Sequence, residues 1–148
     1  MKKVLAIILI ISAFASMTYI VSQSIGNYQG NITKNKHAKG EELYNQRCAT
    51  CHLENGEGVQ DLYPPLQSSD FLRNDKSRII NVLLQGLSGP VTVNGIPYNS
   101  VMHPVPGTDR DLSEVLNYVY ARFGNGEYTF TPEEIAVLRE LHSNHSSN

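Results

Sequence analysis

The sequence of 148 residues predicts a mainly α-helical domain, built of short helices with one small hairpin. Three observations lead to this fold class. Apolar residues recur at steps of three and four in several short segments, which is the period of an amphipathic helix. An Asn-Gly pair separates two short β-forming stretches, as in a hairpin turn. Few large aliphatic side chains occur between Glu54 and Asn74, so the middle of the domain needs support from a disulfide, a metal or a cofactor.

The chain begins with an apolar segment, residues 1–21, that predicts either a signal peptide or an N-terminal membrane anchor. Lys2 and Lys3 precede an uncharged run over residues 4–21, which contains the small-x-small cleavage site Ala13-Phe14-Ala15. An anchor needs about 17–25 mostly apolar residues, and this run just reaches that range. Apolar residues continue beyond the cleavage site, which favours the anchor. In both cases the lysines stay inside, so the rest of the chain is expected in the periplasm, either soluble or anchored to the inner membrane.

The charge of the exported part argues against nucleic acid as a partner. The chain has 12 basic and 14 acidic residues, and two of the lysines lie in the first fifteen residues, so the remainder has a net charge of −4. A nucleic-acid-binding domain would need a basic face. The acidic balance is compatible with docking to a positively charged protein surface, although solubility alone explains it equally well.

The first half of the chain predicts a linker and two helices. Residues 22–37 are polar and lack an apolar period, which is typical of a linker. A helical face then begins, and it comprises Gly40, Leu43, Tyr44, Arg47, Cys48 and Cys51. A loop rich in Gly and Pro follows. Asp75 can cap the next helix, which ends at Gly86 and carries the apolar residues Ile79, Ile80, Leu83 and Leu84.

The second half predicts the hairpin and two further helices. Residues 91–98 form the hairpin, with Asn94-Gly95 as its turn. Thr108 and Asp111 resemble a capping box, and the helix that follows ends near Gly124. Its apolar stripe consists of Leu112, Val115, Leu116 and Val119. Residues 125–148 are a C-terminal extension with a short helix, which begins at Thr131-Pro132-Glu133-Glu134.

The segment Cys48-Ala49-Thr50-Cys51-His52 contains the only two cysteines of the chain and has the spacing of a c-type haem attachment site. Each thiol can add across one vinyl group of the porphyrin if both sulfur atoms lie on one face, about one helical turn apart. His52 follows Cys48 by four residues and projects on the same face, where it can bind the iron. The motif therefore predicts one haem c, held by thioether bonds to Cys48 and Cys51 and ligated by His52.

Three other interpretations of the motif fit the sequence less well. A disulfide oxidoreductase would carry Cys-x-x-Cys within a βαβ pattern, whereas a helical pattern precedes it here. A structural zinc site needs four ligands at recurrent spacings, and no second Cys or His pair lies near the first. A structural disulfide is compatible with an exported protein but gives His52 no role.

Around this motif the sequence resembles the class I mono-haem cytochromes c of exported bacterial proteins. The resemblance runs from about Gly40 to Asn125, and it rests on Gly40-x-x-x-Tyr44, Pro65-Leu66, a late Met and the helix containing LNYVYARFGN. It implies the class I cytochrome c fold, with the cytochrome domain over residues 38–124. It also implies that Gly40 and Tyr44 cross the last core helix near Tyr118.

The same resemblance implies that the carbonyl of Pro65 accepts a hydrogen bond from Nδ1 of His52, which would fix the imidazole and tune the iron. An ordinary rigid turn would explain Pro65 equally well. Cytochrome c′-like four-helix bundles carry the haem motif near the C-terminus, so this chain does not resemble them.

Met102 is the only methionine outside the leader, and it lies in a Pro-rich loop 50 residues after His52. The resemblance implies that Met102 is the sixth ligand of the iron, since the family carries this Met just before the last core helix. A Met that fills a gap in the core is the alternative. The family usually has Pro directly after this Met, whereas here His103 stands before Pro104. His103 is therefore either a rival ligand or a solvated surface residue.

A haem with His52 and Met102 as axial ligands predicts an electron carrier rather than an enzyme. Its partners would be redox proteins such as a dehydrogenase or a terminal oxidase, reached by diffusion or from a membrane tether through residues 4–21. A dedicated subunit of a larger complex is a related possibility. The alternative is a haem enzyme or ligand-binding cytochrome with an open or His-ligated sixth site. A di-haem peroxidase would need a second haem motif, which the sequence lacks.

Overall fold

The computed structural model describes residues 11–23, 36–73, 75–124 and 128–145. The chain forms two compact units, Met1–Lys36 and His37–Asn148. In the first unit, residues 11–23 are helical (α1). Among the described residues, no helix has both the length and the apolar character needed to cross a membrane. Residues 1–10 of the predicted leader and residues 24–35 of the predicted linker lie outside the described residues.

The second unit begins with two consecutive helices, α2 (Ala38–Arg47) and α3 (Ala49–His52). The sequence predicts one continuous helical face here, but the structure divides it at Cys48. Backbone hydrogen bonding nevertheless continues through the break. The N–H of Cys48 donates to the carbonyl of Tyr44 at 2.8 Å, and the N–H of His52 donates to that of Cys48 at 2.9 Å.

The middle of the unit contains a short 3₁₀ helix (Phe71–Arg73) and α4 (Lys76–Gln85). The predicted ends of α4 are confirmed. The Asp75 side chain accepts a hydrogen bond from the N–H of Arg78, which caps the start of the helix. Gly86 follows the last helical residue with φ 78° and ψ −170°, a conformation that is essentially restricted to glycine.

The predicted hairpin is confirmed as β1 (Val91–Val93) paired antiparallel with β2 (Ile96–Tyr98). Its turn is tied to the residue before the 3₁₀ helix by two reciprocal hydrogen bonds. The N–H of Asp70 donates to Oδ1 of Asn94 at 2.9 Å, and the N–H of Asn94 donates to Oδ1 of Asp70 at 2.8 Å. The turn and the 3₁₀ segment are therefore held together by side chains rather than by further strand pairing.

The last two helices are α5 (Asp109–Phe123) and α6 (Pro132–His145). Thr108 and Asp111 form the predicted capping box of α5, and Gly124 ends the helix in the left-handed conformation. At 14 residues, α6 is longer than the short helix that the sequence predicts. Residues 125–127 and 146–148 of the extension lie outside the described residues.

Helix α2 crosses α5 at Gly40. A Cβ atom on Gly40 would lie 2.3 Å from the carbonyl oxygen of Glu114 and 2.7 Å from Cβ of Tyr118, so only glycine allows the two backbones to approach this closely. The ring of Tyr44 packs at the same crossing, with its centroid 5.5 Å from that of Tyr118 and 5.2 Å from that of Phe123. The predicted crossing near Tyr118 is confirmed.

Helix α6 packs against α5 and α4 and completes the core. Phe130 and Ile135 are buried, with exposed fractions of 2% and 0%. The side chain of Asn117 on α5 accepts from the N–H of Phe130 and donates to its carbonyl, both at 2.9 Å. An ion pair between Lys76 and Glu134 joins α6 to α4. Together, the described elements confirm the mainly α fold class with a small two-stranded sheet.

Candidate functional site

A cavity of about 760 Å³, including the space at its mouth, lies within the second unit. It is lined by α3, the Pro-rich segment after it, the 3₁₀ helix, α4, β1 and α5. Apart from Cys48, His52 and Ser69, the side chains that line it are apolar. The apolar walls favour a large ligand with little charge. The segment that is poor in aliphatic residues thus borders a cavity rather than a filled core.

His52 lines this cavity and is half-buried at the end of α3. Its Nδ1 donates a hydrogen bond to the carbonyl oxygen of Pro64 at 2.9 Å. Since a carbonyl only accepts, Nδ1 carries the proton, and Nε2 keeps a lone pair for a metal. Burial lowers the pKa of the imidazole, and the bond to Pro64 opposes this shift. His52 therefore presents a neutral imidazole of fixed orientation to the cavity.

The resemblance implied that the carbonyl of Pro65 accepts this hydrogen bond, whereas in the structure the acceptor is the carbonyl of Pro64. The chain turns back after α3 because Val59 pairs with Tyr63, and the next carbonyl, that of Pro64, meets the imidazole. Pro64 precedes another proline, which favours an extended backbone there. Pro65 lines the cavity instead.

The two cysteines lie in one turn, where the N–H of Cys51 donates to the carbonyl of Cys48 at 3.1 Å. Cys48 lines the cavity, whereas Cys51 is half-buried and is not among the lining residues. Neither thiol forms a disulfide. Burial raises the pKa of the Cys48 thiol to about 11, against the opposing charge of Arg47. Cys48 is therefore a neutral thiol, and it adds no charge to the apolar wall.

Met102 lines the cavity and is half-buried, whereas His103 is exposed and is not among the lining residues. The backbone of Met102 is fixed by two hydrogen bonds to Leu87, with its N–H donating at 2.9 Å and its carbonyl accepting at 2.8 Å. The loop thus brings a thioether to the cavity that also receives the imidazole of His52.

Sequence reasoning missed two residues that hold this loop, Gly86 and Leu87. A Cβ atom on Gly86 would lie 2.2 Å from the carbonyl oxygen of Met102, so the loop passes directly over the end of α4. In the sequence, Gly86 signals only the end of a helix. The close approach of a loop 16 residues later has no local signature.

These groups fit the predicted haem c. Apolar walls suit the porphyrin, Cys48 and Cys51 offer thiols for its vinyl groups, and His52 offers a nitrogen ligand. Met102 offers a sulfur ligand in the same cavity.

No cluster of three or more His, Cys, Asp or Glu side chains with metal-binding geometry occurs within the described ranges, so the alternative of a structural zinc site gains no further ligands there.

Comparison with known proteins agrees with this fit. Residues 35–119 match the family model described as cytochrome c oxidase, cbb3-type, subunit III. The chain is 37% identical over 112 residues to cytochrome c-552 of Thermus thermophilus, which covers 69% of this chain and 85% of that protein.

Two further relatives are parts of dehydrogenases. Identity is 30% over 129 residues to the cytochrome c subunit of the quinone alcohol dehydrogenase of Gluconobacter oxydans, covering 79% of this chain and 26% of that subunit. The chain is also 25% identical over 126 residues to the fructose dehydrogenase cytochrome subunit of Gluconobacter japonicus. This match covers 75% of this chain and 24% of that subunit. This chain is therefore similar to about a quarter of each of these subunits.

Proposed function

The chain belongs to the class I c-type cytochromes and binds haem c covalently, and on that basis we propose that it carries single electrons between redox proteins outside the cytoplasm. The single observation that carries this proposal is the convergence of an imidazole and a thioether on one apolar cavity. An iron ligated on both sides by protein groups can exchange electrons but has no vacant position for a substrate. The chain is therefore a carrier rather than an enzyme.

We propose His52 and Met102 as the axial ligands. His52 is supported because its Nε2 is unprotonated and has a free lone pair. Met102 is supported because its half-buried side chain lines the same cavity. The exposure of His103 argues against it as the rival ligand. The cofactor supplies a one-electron redox centre, and a thioether ligand favours its reduced state.

The remaining residues of the site keep its geometry unchanged during electron transfer. Cys48 and Cys51 attach the cofactor, the carbonyl of Pro64 fixes the imidazole, and the bonds to Leu87 fix the backbone of Met102. The apolar walls exclude water, which limits the solvent rearrangement that accompanies a change of charge.

A redox titration of the intact protein, followed by optical spectroscopy, tests this function. We expect a single one-electron transition and, in the oxidised protein, the weak far-red band of sulfur bound to iron. The reduced protein should resist carbon monoxide, because the gas would have to displace Met102. Rapid uptake of carbon monoxide together with an absent far-red band would support the alternative of a haem enzyme or ligand-binding cytochrome.

The partners are proposed to be a dehydrogenase as electron donor or a terminal oxidase as acceptor. Relatives named as cytochrome subunits of alcohol and fructose dehydrogenases favour a dehydrogenase. Those subunits are about four times longer than the region that matches, whereas cytochrome c-552 is covered almost completely. The resemblance to cytochrome c-552 over most of its length favours a separate carrier over a fused module.

We propose that residues 1–21 export the domain, that residues 22–37 link it to the leader and that residues 38–124 form the cytochrome domain. The two lysines before the apolar run support this orientation. A periplasm-dependent reporter fused to the C-terminus should be active, and deletion of residues 1–21 should abolish that activity. Activity that survives the deletion would contradict export by the leader. Release of the fusion from membranes in high salt would indicate a cleaved signal peptide, and retention would indicate an anchor.

A further inference from the structure

Arg139 joins α6 to the end of the loop that carries Met102. Its Nε donates to Oδ1 of Asp109 at 2.7 Å, and its Nη2 donates to the carbonyl oxygen of Gly107 at 3.2 Å. Both acceptors lie where the loop enters α5. The guanidinium therefore holds a carboxylate and a backbone carbonyl together, which a planar group with several fixed N–H donors does well.

The segment between Met102 and Gly107 is stiff. Pro104 and Pro106 fix two of its φ angles, and each favours an extended backbone in the residue before it. The N–H of Val105 donates to the carbonyl of Leu83 on α4 at 2.8 Å. Because Pro104 and Pro106 restrict the backbone, the segment has little slack to absorb a displacement at Gly107 before it reaches Val105 and Met102.

The second arginine at this point, Arg47, is less suited to hold the loop. Its Nη2 lies 3.7 Å from Oδ2 of Asp111, which is an ion-pair distance but too long for a hydrogen bond. Its Nη1 is buried and has no hydrogen-bond partner among the described residues. Of these two arginines, Arg139 is therefore the one that hydrogen-bonds the loop end to a neighbouring helix.

We propose that Arg139 is a positioning residue, which fixes the loop end so that the sulfur of Met102 stays on the iron. This proposal rests on the proposed function, in which Met102 is the sixth ligand. Helix α6 is a firm support for Arg139, because Ile135 is buried in the core. The C-terminal extension would then act on the redox site without contributing a residue to the cavity.

Displacement of Met102 by added imidazole measures how firmly the loop holds its ligand. The experiment uses the oxidised, haem-loaded protein, and loss of the far-red band is followed as imidazole is titrated. Arg139→Gln should bind imidazole roughly three- to tenfold more tightly than the wild type, since it loses two charge-assisted hydrogen bonds in a half-exposed setting. Arg139→Lys keeps the charge but not the fork of donors, so it should give an intermediate affinity.

Glu134→Gln is the matched control, because it breaks the other ion pair of α6 without touching the loop. Its imidazole affinity should stay close to that of the wild type, and circular dichroism should report folded protein for every variant. An unchanged affinity in Arg139→Gln, or an equal change in Glu134→Gln, would overturn the positioning role while leaving Met102 as ligand. If the wild type has no far-red band before imidazole is added, the ligand assignment fails, and the positioning role fails with it.

Discussion

Replacing Met102 with alanine should lower the midpoint potential by roughly 100 mV or more and open the iron to carbon monoxide, since axial ligands shift haem potentials over about 0.8 V. Met102 lines the cavity, and its backbone is fixed by Leu87, so the variant loses the sulfur while the loop keeps its path. The far-red band of the oxidised protein should disappear. Spectroelectrochemistry and a carbon monoxide titration of the reduced protein measure the two effects.

His103→Ala is the control for this experiment. His103 is exposed and does not line the cavity, so its replacement should leave the potential, the band and the resistance to carbon monoxide unchanged. The opposite pattern, with a silent Met102→Ala and an altered His103→Ala, would make His103 the ligand. If neither substitution has an effect, this loop does not provide the sixth ligand of the iron.

Replacing Gly86 with alanine should reduce the free energy of unfolding by about 2–5 kcal/mol, from two separate causes. The φ of 78° is strained for any residue with a side chain. In addition, the new Cβ would lie 2.2 Å from the carbonyl oxygen of Met102, so the loop or the end of α4 must shift. Because this nearest atom is a backbone atom, no rotamer change can relieve the contact. Chemical denaturation followed by circular dichroism gives the stability, and the far-red band reports the position of Met102.

Gly89→Ala separates the two causes. Gly89 also has a positive φ, of 87°, but a Cβ there would meet no atom within 4 Å. Gly89→Ala should therefore reduce the free energy of unfolding only by the cost of backbone strain, about 1 kcal/mol, and it should keep the far-red band. Equal losses in both variants would mean that the close approach between α4 and the Met102 loop contributes nothing to stability.

Features that depend on a few adjacent residues could be predicted from the sequence. The caps at Asp75 and Thr108, the Asn94-Gly95 turn and the end of α5 at Gly124 are all found where the sequence predicts them. Each is determined by a hydrogen bond or a φ angle within four residues. The motif around Cys48 and His52 is equally local, and it identified the cofactor.

Features that depend on how distant segments meet could not be read from local patterns. The acceptor for His52 is Pro64 rather than Pro65, because the turn between Val59 and Tyr63 decides which carbonyl meets the imidazole. The contact of Arg139 with Gly107 joins residues 32 positions apart. Met102 was predicted as a ligand only through resemblance to a family, since nothing in the 49 intervening residues relates it to His52.

The two-stranded hairpin has a consequence for the local dynamics of the protein. Two strands of three residues are too short to persist alone in water, so their order depends on what surrounds them. One neighbour is Asp70, whose reciprocal bonds hold the turn, and the other is the content of the cavity that Val91 and Val93 line. We therefore expect the hairpin to be a weakly cooperative unit that opens at a lower free energy than the helices around it. We expect its amide protons to exchange with solvent through this local opening, and this exchange to slow when the cofactor fills the cavity beneath them.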